Sequence, residues 1–198
     1  MKKVFYTWLF LVFCMTSLNA QGFMHVGIGG VSSSYMESSK NRAVMDDVFL
    51  SGGAGVVSFG FGRELDEKTR VKVDFTAQAL AKGSQDMIAG GGIPAKVSLE
   101  WSSFNFAIGR YRLFSKQNES SLFGGAYLGL AKISKKMKTL VGGIPTEKEF
   151  DETKLMLGAK FGGLIGKLET GEAEIGLDVN IFAGAGIVNV GVYAGVNF

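Results

Sequence analysis

The sequence predicts an all-β protein, a closed eight-stranded antiparallel up-and-down transmembrane β-barrel. Three observations carry that expectation: eight segments that alternate apolar with polar residues, an oily composition with no long oily run after residue 20, and connections that alternate long and short. A strand has a side-chain period of two, so each alternating segment has one apolar face. Hydrophobic residues make up 46% of the chain and mean hydropathy is +0.21. A membrane-crossing helix needs about 20 consecutive apolar residues, and no such run follows the first 20 positions. The 29 glycines and 16 phenylalanines, against 2 prolines, fit closely packed strands better than helices. The net charge of +3 is small and interspersed, which leaves no nucleic-acid footprint.

Residues 1–20 read as a secretory signal, with Lys2 and Lys3, an apolar core from Val4 to Phe13, and cleavage expected between Ala20 and Gln21. Acylation at Cys14 would require small residues just before it, where Val12 and Phe13 stand. The one cysteine would leave with the leader, so neither a disulfide nor a cysteine metal site is expected in the barrel domain, residues 21–198.

The first strand is expected from about Phe23 to Val31, with Met24, Val26 and Ile28 on its apolar face. Ser32 to Phe49 is polar and reads as a long loop. Leu50 to Gly62 is the second strand, and Arg70 to Lys82 the third, where Val71, Val73, Phe75, Ala77, Ala79 and Ala81 oppose Lys72, Asp74, Thr76 and Gln78. Gly83 to Pro94 reads as a Gly-rich loop. In the fourth strand, Ala95 to Leu113, the apolar parity switches from Val97, Leu99 and Trp101 to Phe104, Phe106 and Ile108, which points to a bulge near Ser102 and Ser103. Leu122 to Ile133, Leu155 to Ile165, and Glu172 to Ile181 are the next three. The eighth, Ile187 to Phe198, alternates strictly, with Val188, Val190, Val192, Ala194 and Val196 on one face.

Alternation alone does not say whether the apolar face points into a soluble barrel, such as a secreted lipocalin-like one, or out into lipid. Side-chain size favours lipid. The polar parity is crowded with glycine (Gly60, Gly62, Gly125, Gly158, Gly162, Gly176, Gly191), and a narrow eight-stranded barrel has room inside for few large side chains. Charge agrees, because Lys72 or Lys160 turned toward lipid would cost about 2–4 kcal/mol near the midplane. Facing inward, the two lysines have Asp74, Glu100, Glu174 and Asp178 as lumen partners. Long loops then fall outside the cell and short turns in the periplasm, with Phe23, Phe59, Phe61, Phe106 and Phe198 toward the periplasmic rim.

The leader, the eight alternating segments and the terminal Phe198 resemble the small OmpX/OmpA-type bacterial outer-membrane barrels over the whole mature chain. The resemblance implies residence in the cell outer membrane as a single chain in contact with lipid, and a structural or surface-interaction role. It also implies that the assembly machinery reads Phe198 in the closing strand. A narrow pore, or a subunit of an envelope transport machine, is the competing reading.

Both prolines lie in one repeated tetrapeptide, Gly91-Gly92-Ile93-Pro94 and Gly142-Gly143-Ile144-Pro145. Ordinary turn chemistry accounts for it; a protruding hairpin that offers Ile144, beside Ile93, to a surface partner is the more specific expectation. Counting from the second tip pairs Lys138 with Glu149, Met137 with Phe150, Lys136 with Asp151 and Lys135 with Glu152. Such opposite-charge pairs contribute about 0.2–1 kcal/mol each. No enzyme, cofactor or metal site is expected. His25, the one histidine, falls near the periplasmic rim, whereas a lipid A deacylase-like barrel needs a Ser-His-acid group at the outer leaflet. A palmitoyltransferase-like barrel needs an apolar acyl cavity, where this lumen carries Lys72, Asp74, Lys160 and Asp178. The glycines match no phosphate-binding motif between a strand and a helix.

Overall fold

The computed structural model describes residues 22–35, 53–117, 120–168 and 171–198. The expected cleavage site and most of the first long loop lie outside these residues. Eight strands follow in order: β1 Gly22–Tyr35, β2 Gly53–Asp66, β3 Thr69–Ala89, β4 Ile93–Gln117, β5 Ser120–Val141, β6 Ile144–Leu168, β7 Gly171–Phe182 and β8 Ile187–Asn197. Each is antiparallel to its sequence neighbours, and β8 pairs with β1 to close the barrel. The seam runs to the last residue, where Met24 and Phe198 exchange backbone hydrogen bonds of 3.1 and 2.9 Å.

The strands come in two lengths. β1, β2, β7 and β8 have 14, 14, 12 and 11 residues, whereas β3 to β6 have 21, 25, 22 and 25. At about 3.3 Å per residue, the excess extends one half of the wall by roughly 30 Å as a four-stranded sheet beyond the described ends of β1, β2, β7 and β8.

This corrects the expected ends at Lys82, Ile133 and Leu155, and the reading of Gly83 to Pro94 as a loop. The cause is an inversion of polarity. Along β4 the odd residues face inward without a break, from Leu99 and Trp101 through Ser103 and Asn105 to Tyr111. Low on the strand the apolar residues are the outward ones, such as Phe104 and Ile108; higher up they are the inward ones. An expectation built on one apolar parity stops where that parity reverses.

The expected bulge at Ser102 and Ser103 is therefore not in β4. The register shift falls between Ala79 and Ala81 in β3, where Ala79 opposes Ser102 and Ala81 opposes Trp101. Leu80 is the inserted residue, and both Leu80 and Ala81 are buried, so Ala81 faces inward instead of toward lipid. Two large-to-small inward neighbours at this point fill the barrel just above its polar section.

The repeated tetrapeptides form adjacent tips. Gly91, Gly92, Gly142 and Gly143 all have φ between +56° and +86°, a region closed to most side chains. Val141 opposes Ile144 across a two-residue turn, so the hairpin needs both glycines. The Gly142 N–H donates to the Pro94 carbonyl at 3.2 Å, which ties the two tips together. The turn is centred one residue earlier than expected, and Lys138 opposes Glu147, Lys136 opposes Glu149, and Lys135 opposes Phe150. The partners move by two positions, so the faces survive and Lys138 and Lys136 still oppose carboxylates, whereas Lys135 reaches Glu152 only diagonally.

Candidate functional site

The molecule offers two places where function could reside, the lumen and the projecting sheet. The lumen is filled from bottom to top. At the turn end the Phe23 ring lies over Gly62, with the Arg70 guanidinium 5.2 Å and the Lys72 ammonium 5.6 Å from its centroid. Phe23 therefore closes the lumen and does not belong to an outer girdle. Arg70 is held by Glu64 and by Glu172, the latter at 2.8 Å.

Above this floor sits a hub on Glu174. Its carboxylate takes Lys72 from β3, the Tyr193 hydroxyl at 2.9 Å and the Asn197 amide at 3.0 Å from β8. The Asn197 side-chain oxygen meets His25 Nδ1 at 3.0 Å, and His25 Nε2 meets the Ser58 hydroxyl at 3.4 Å. Five strands are thus joined through buried polar contacts. Lys160 pairs with Asp74 at 3.0 Å, and the Tyr127 hydroxyl donates to Asp178. The glycines make this possible: a Cβ on Gly60 would stand 2.3 Å from the Asp74 carboxylate, and one on Gly158 would stand 2.2 Å from the Tyr127 ring.

Higher still the filling turns apolar. Leu80, Ala81, Leu99, Trp101, Ile133, Met156, Phe182 and Ile187 form one buried cluster. Lys135 caps it, 4.4 Å above the Trp101 ring, paired to Glu152, which also takes Lys154 at 3.2 Å. Glu152 lies above the membrane belt. Burial alone would raise its carboxyl, and hydrogen bonds from Lys135 and Lys154 outweigh that and hold it below the usual carboxylate range.

Of the lumen residues anticipated from sequence, Lys72, Asp74, Lys160, Glu174 and Asp178 come together inside the barrel. Glu100 does not. It is exposed on the outer wall, between Lys82 of β3 and Lys136 of β5 in the register, with Glu149 beyond. From Ser98 to Phe114 the even residues of β4 point outward, and the assignment to the lumen followed the apolar parity across its reversal. The row Lys82, Glu100, Lys136, Glu149 alternates in charge across four strands. Sequence reasoning missed Tyr127, Tyr193, His25 and Asn197 as members of the inner network; their place on the polar parity was the available signal.

The outer wall of the projecting sheet is a ladder of ion pairs: Lys132 with Asp151 at 2.7 Å, Lys136 with Glu149 at 3.4 Å and Lys138 with Glu147 at 3.4 Å. At its free end Ile93 is 44% and Ile144 72% exposed, on neighbouring tips. Below the ladder the outer surface is apolar around the barrel, with Ile28, Val57, Leu128, Leu157, Leu177 and Val192 all exposed. Of the aromatic residues expected at the rim, Phe59 and Phe106 are instead in a row with Phe75 at belt height, and Phe106 has Ile108, Arg110, Arg112 and Phe114 below it on the same face.

A closed antiparallel barrel with an apolar outer belt and a filled interior defines a class, the transmembrane β-barrel, since a sheet satisfies all its backbone groups in lipid only when it is closed. The fold is that of the small eight-stranded bacterial outer-membrane barrels. The Neisserial surface protein NspA superposes with a TM-score of 0.59 at 13% identity, over 89% of this chain and 95% of NspA. Ail, the attachment invasion locus protein of Yersinia pestis, solved with the heparin analogue sucrose octasulfate, superposes with a TM-score of 0.52 at 14% identity, over 90% of this chain and 99% of Ail. No protein-family model matches the sequence, and no curated protein does.

Proposed function

We propose that this protein is an integral outer-membrane barrel whose role is to hold a rigid β-sheet outside the cell as a structural or interaction surface. The observation that carries this reading is the continuation of β3 to β6 beyond the belt with polarity inverted, apolar within and charged without. A floppy loop has no use for a packed interior. On this reading the leader of residues 1–20 is cleaved between Ala20 and Gln21, and the adjacent tips Ile93 and Ile144 are the contact point for a surface partner.

The filled lumen supports a sealed barrel over a pore, and both nitrogens of His25 are engaged in hydrogen bonds, which supports a non-enzymatic role. The heparin analogue bound by Ail suggests no ligand here, because Lys132, Lys136 and Lys138 each have a carboxylate partner. Outer-membrane fractionation with heat-dependent gel mobility tests residence; a soluble, heat-invariant protein would defeat the proposal. Labelling of Ile144→Cys on intact cells by a membrane-impermeant maleimide tests orientation, with modification expected. Refolded protein in planar bilayers should be silent, and steady conductance would favour the pore.

We assign Phe198 two tasks, an anchor at the rim and the signal read by the assembly machinery. Its removal should impair insertion in cells far more than folding in detergent; equal losses would leave only the anchor.

A further inference from the structure

The apolar exterior is interrupted at one end. Arg110 and Arg112 of β4 are exposed on the outer face, flanked there by exposed Ile108 and Phe114. Their register partners on β3 are Val71 and Thr69, just past the Glu67–Lys68 turn. Both guanidiniums therefore stand at the turn end of the belt, which the proposed orientation puts at the periplasmic leaflet. On β5 their partners are Ala126 and Gly124, whose small size leaves a groove in the wall. Lys68, Thr69 and Asp66 complete its lining.

The charge here is unbalanced. On the outer wall of the projecting sheet, Lys132, Lys136 and Lys138 are each matched by a carboxylate. In the groove the cations Lys68, Arg110 and Arg112 face one carboxylate, Asp66, which feels the charge of Arg110 and accepts the Lys68 backbone N–H at 2.8 Å. Neither arginine makes a salt bridge among the described residues. Next to the groove the wall is apolar and shaped. The Phe114 and Phe161 rings converge over Gly124, where a Cβ would meet them at 2.8 and 2.9 Å, and Leu122, Ile175 and Leu177 continue this surface into a second groove.

A planar guanidinium matches a phosphate oxygen pair, and two on alternate residues of a strand offer two such forks side by side. Cationic side chains at this depth reach for headgroups while their stems stay in the apolar layer. We propose that the groove binds one anionic glycerophospholipid of the periplasmic leaflet, with its phosphodiester on Arg110, Arg112 and Lys68 and its acyl chains along the Phe114 and Phe161 surface. This rests on the membrane orientation proposed above.

Native mass spectrometry of the full refolded protein in zwitterionic detergent tests it, with added dioleoylphosphatidylglycerol or dioleoylphosphatidylcholine. One phosphatidylglycerol should be retained in preference to phosphatidylcholine. The R110Q/R112Q variant should lose at least about tenfold in retention, as expected for the loss of charge-assisted bonds. Ala126→Phe, which fills the groove and leaves every charge in place, should lose it as well. Heat-dependent gel mobility establishes that each variant is folded, and Arg112→Gln replaces the double variant if that one is not. Equal retention of the two lipids by the wild type, or undiminished retention by the folded variants, overturns the proposal. Residence in the cell is read separately by fractionation, so failure of the lipid site and failure of the membrane reading are distinguishable.

Discussion

The projecting sheet is built from four of the eight strands that form the lower barrel, yet the two sections are inside out relative to each other. In the lower section β5 turns Tyr127 toward an ionic interior and exposes Leu128 and Leu130; further along the same strand it buries Ile133 and exposes Lys136 and Lys138. Side chains alternate identically in both sections. What differs is the medium outside, lipid for one and water for the other, and the interior is complementary in each case. β5 thus passes from membrane to water with its side-chain parity unbroken, whereas β3 shifts parity by one residue at Leu80.

The sharpest way to break the lower section is to unbalance its hub. Glu174→Leu leaves Lys72 buried without its partner and strips Tyr193 and Asn197 of their acceptor, for an expected loss of about 3–5 kcal/mol in denaturant unfolding in micelles. The combined change with Lys72→Met should recover a large part of that. In the upper section the equivalent blow is Trp101→Ala, which empties the apolar plug at an expected cost of about 3–5 kcal/mol. Its signature is regional: amide exchange should rise in the projecting sheet and stay slow in the belt.

Exchanging one medium's preference for the other gives the next largest effect. Leu128→Arg places a charge toward lipid, for an expected loss of about 2–4 kcal/mol. Ser134→Arg, three outward positions along the same strand, should stay within about 0.5 kcal/mol. Equal effects at the two positions would erase the distinction between the sections.

Smaller again is the outer ladder, where Lys136→Glu sets like charges opposite each other at about 0.2–1 kcal/mol per pair. The ladder also sets a pH dependence. Hydrogen bonds from Lys132 and then Ser134 hold the Asp151 carboxyl below the usual carboxylate range, and Glu152 is lowered too. A depressed carboxyl contributes its full stability above its ordinary value and loses it as pH falls through the lowered one. Acidification should therefore raise amide exchange across Ser134 and Asp151, with neutral pH restoring protection.

The strand count, the antiparallel closure and the lipid-facing row of β8 were legible in the sequence, because one parity stays apolar across the belt. The glycine-rich inner parity was also legible, and the close approaches of Asp74 and Tyr127 to Gly60 and Gly158 give the reason. The upper halves of β3 to β6 were hidden, since their apolar residues change parity and mimic a strand end. Glu100 was misplaced for the same reason, and Leu80 carried its bulge in a strand whose alternation looked unbroken. The hub partners were harder to see, because Tyr193, His25 and Asn197 meet Glu174 only once distant parts of the chain have closed the ring.

That closure has a kinetic consequence. His25 and Asn197 lie 172 positions apart, whereas β3 to β4, β5 to β6 and β7 to β8 are joined by short local turns. Contacts at long sequence separation form after local ones, since the chain must lose the freedom of the whole intervening loop first. The β1–β8 seam is therefore expected to be the last joint to form, and until it forms β1 and β8 would each present a full edge of unpaired backbone groups to any strand nearby. The buried bond between the first strand's histidine and the last strand's asparagine acts as the latch of that joint, engaged when the ring has shut in register.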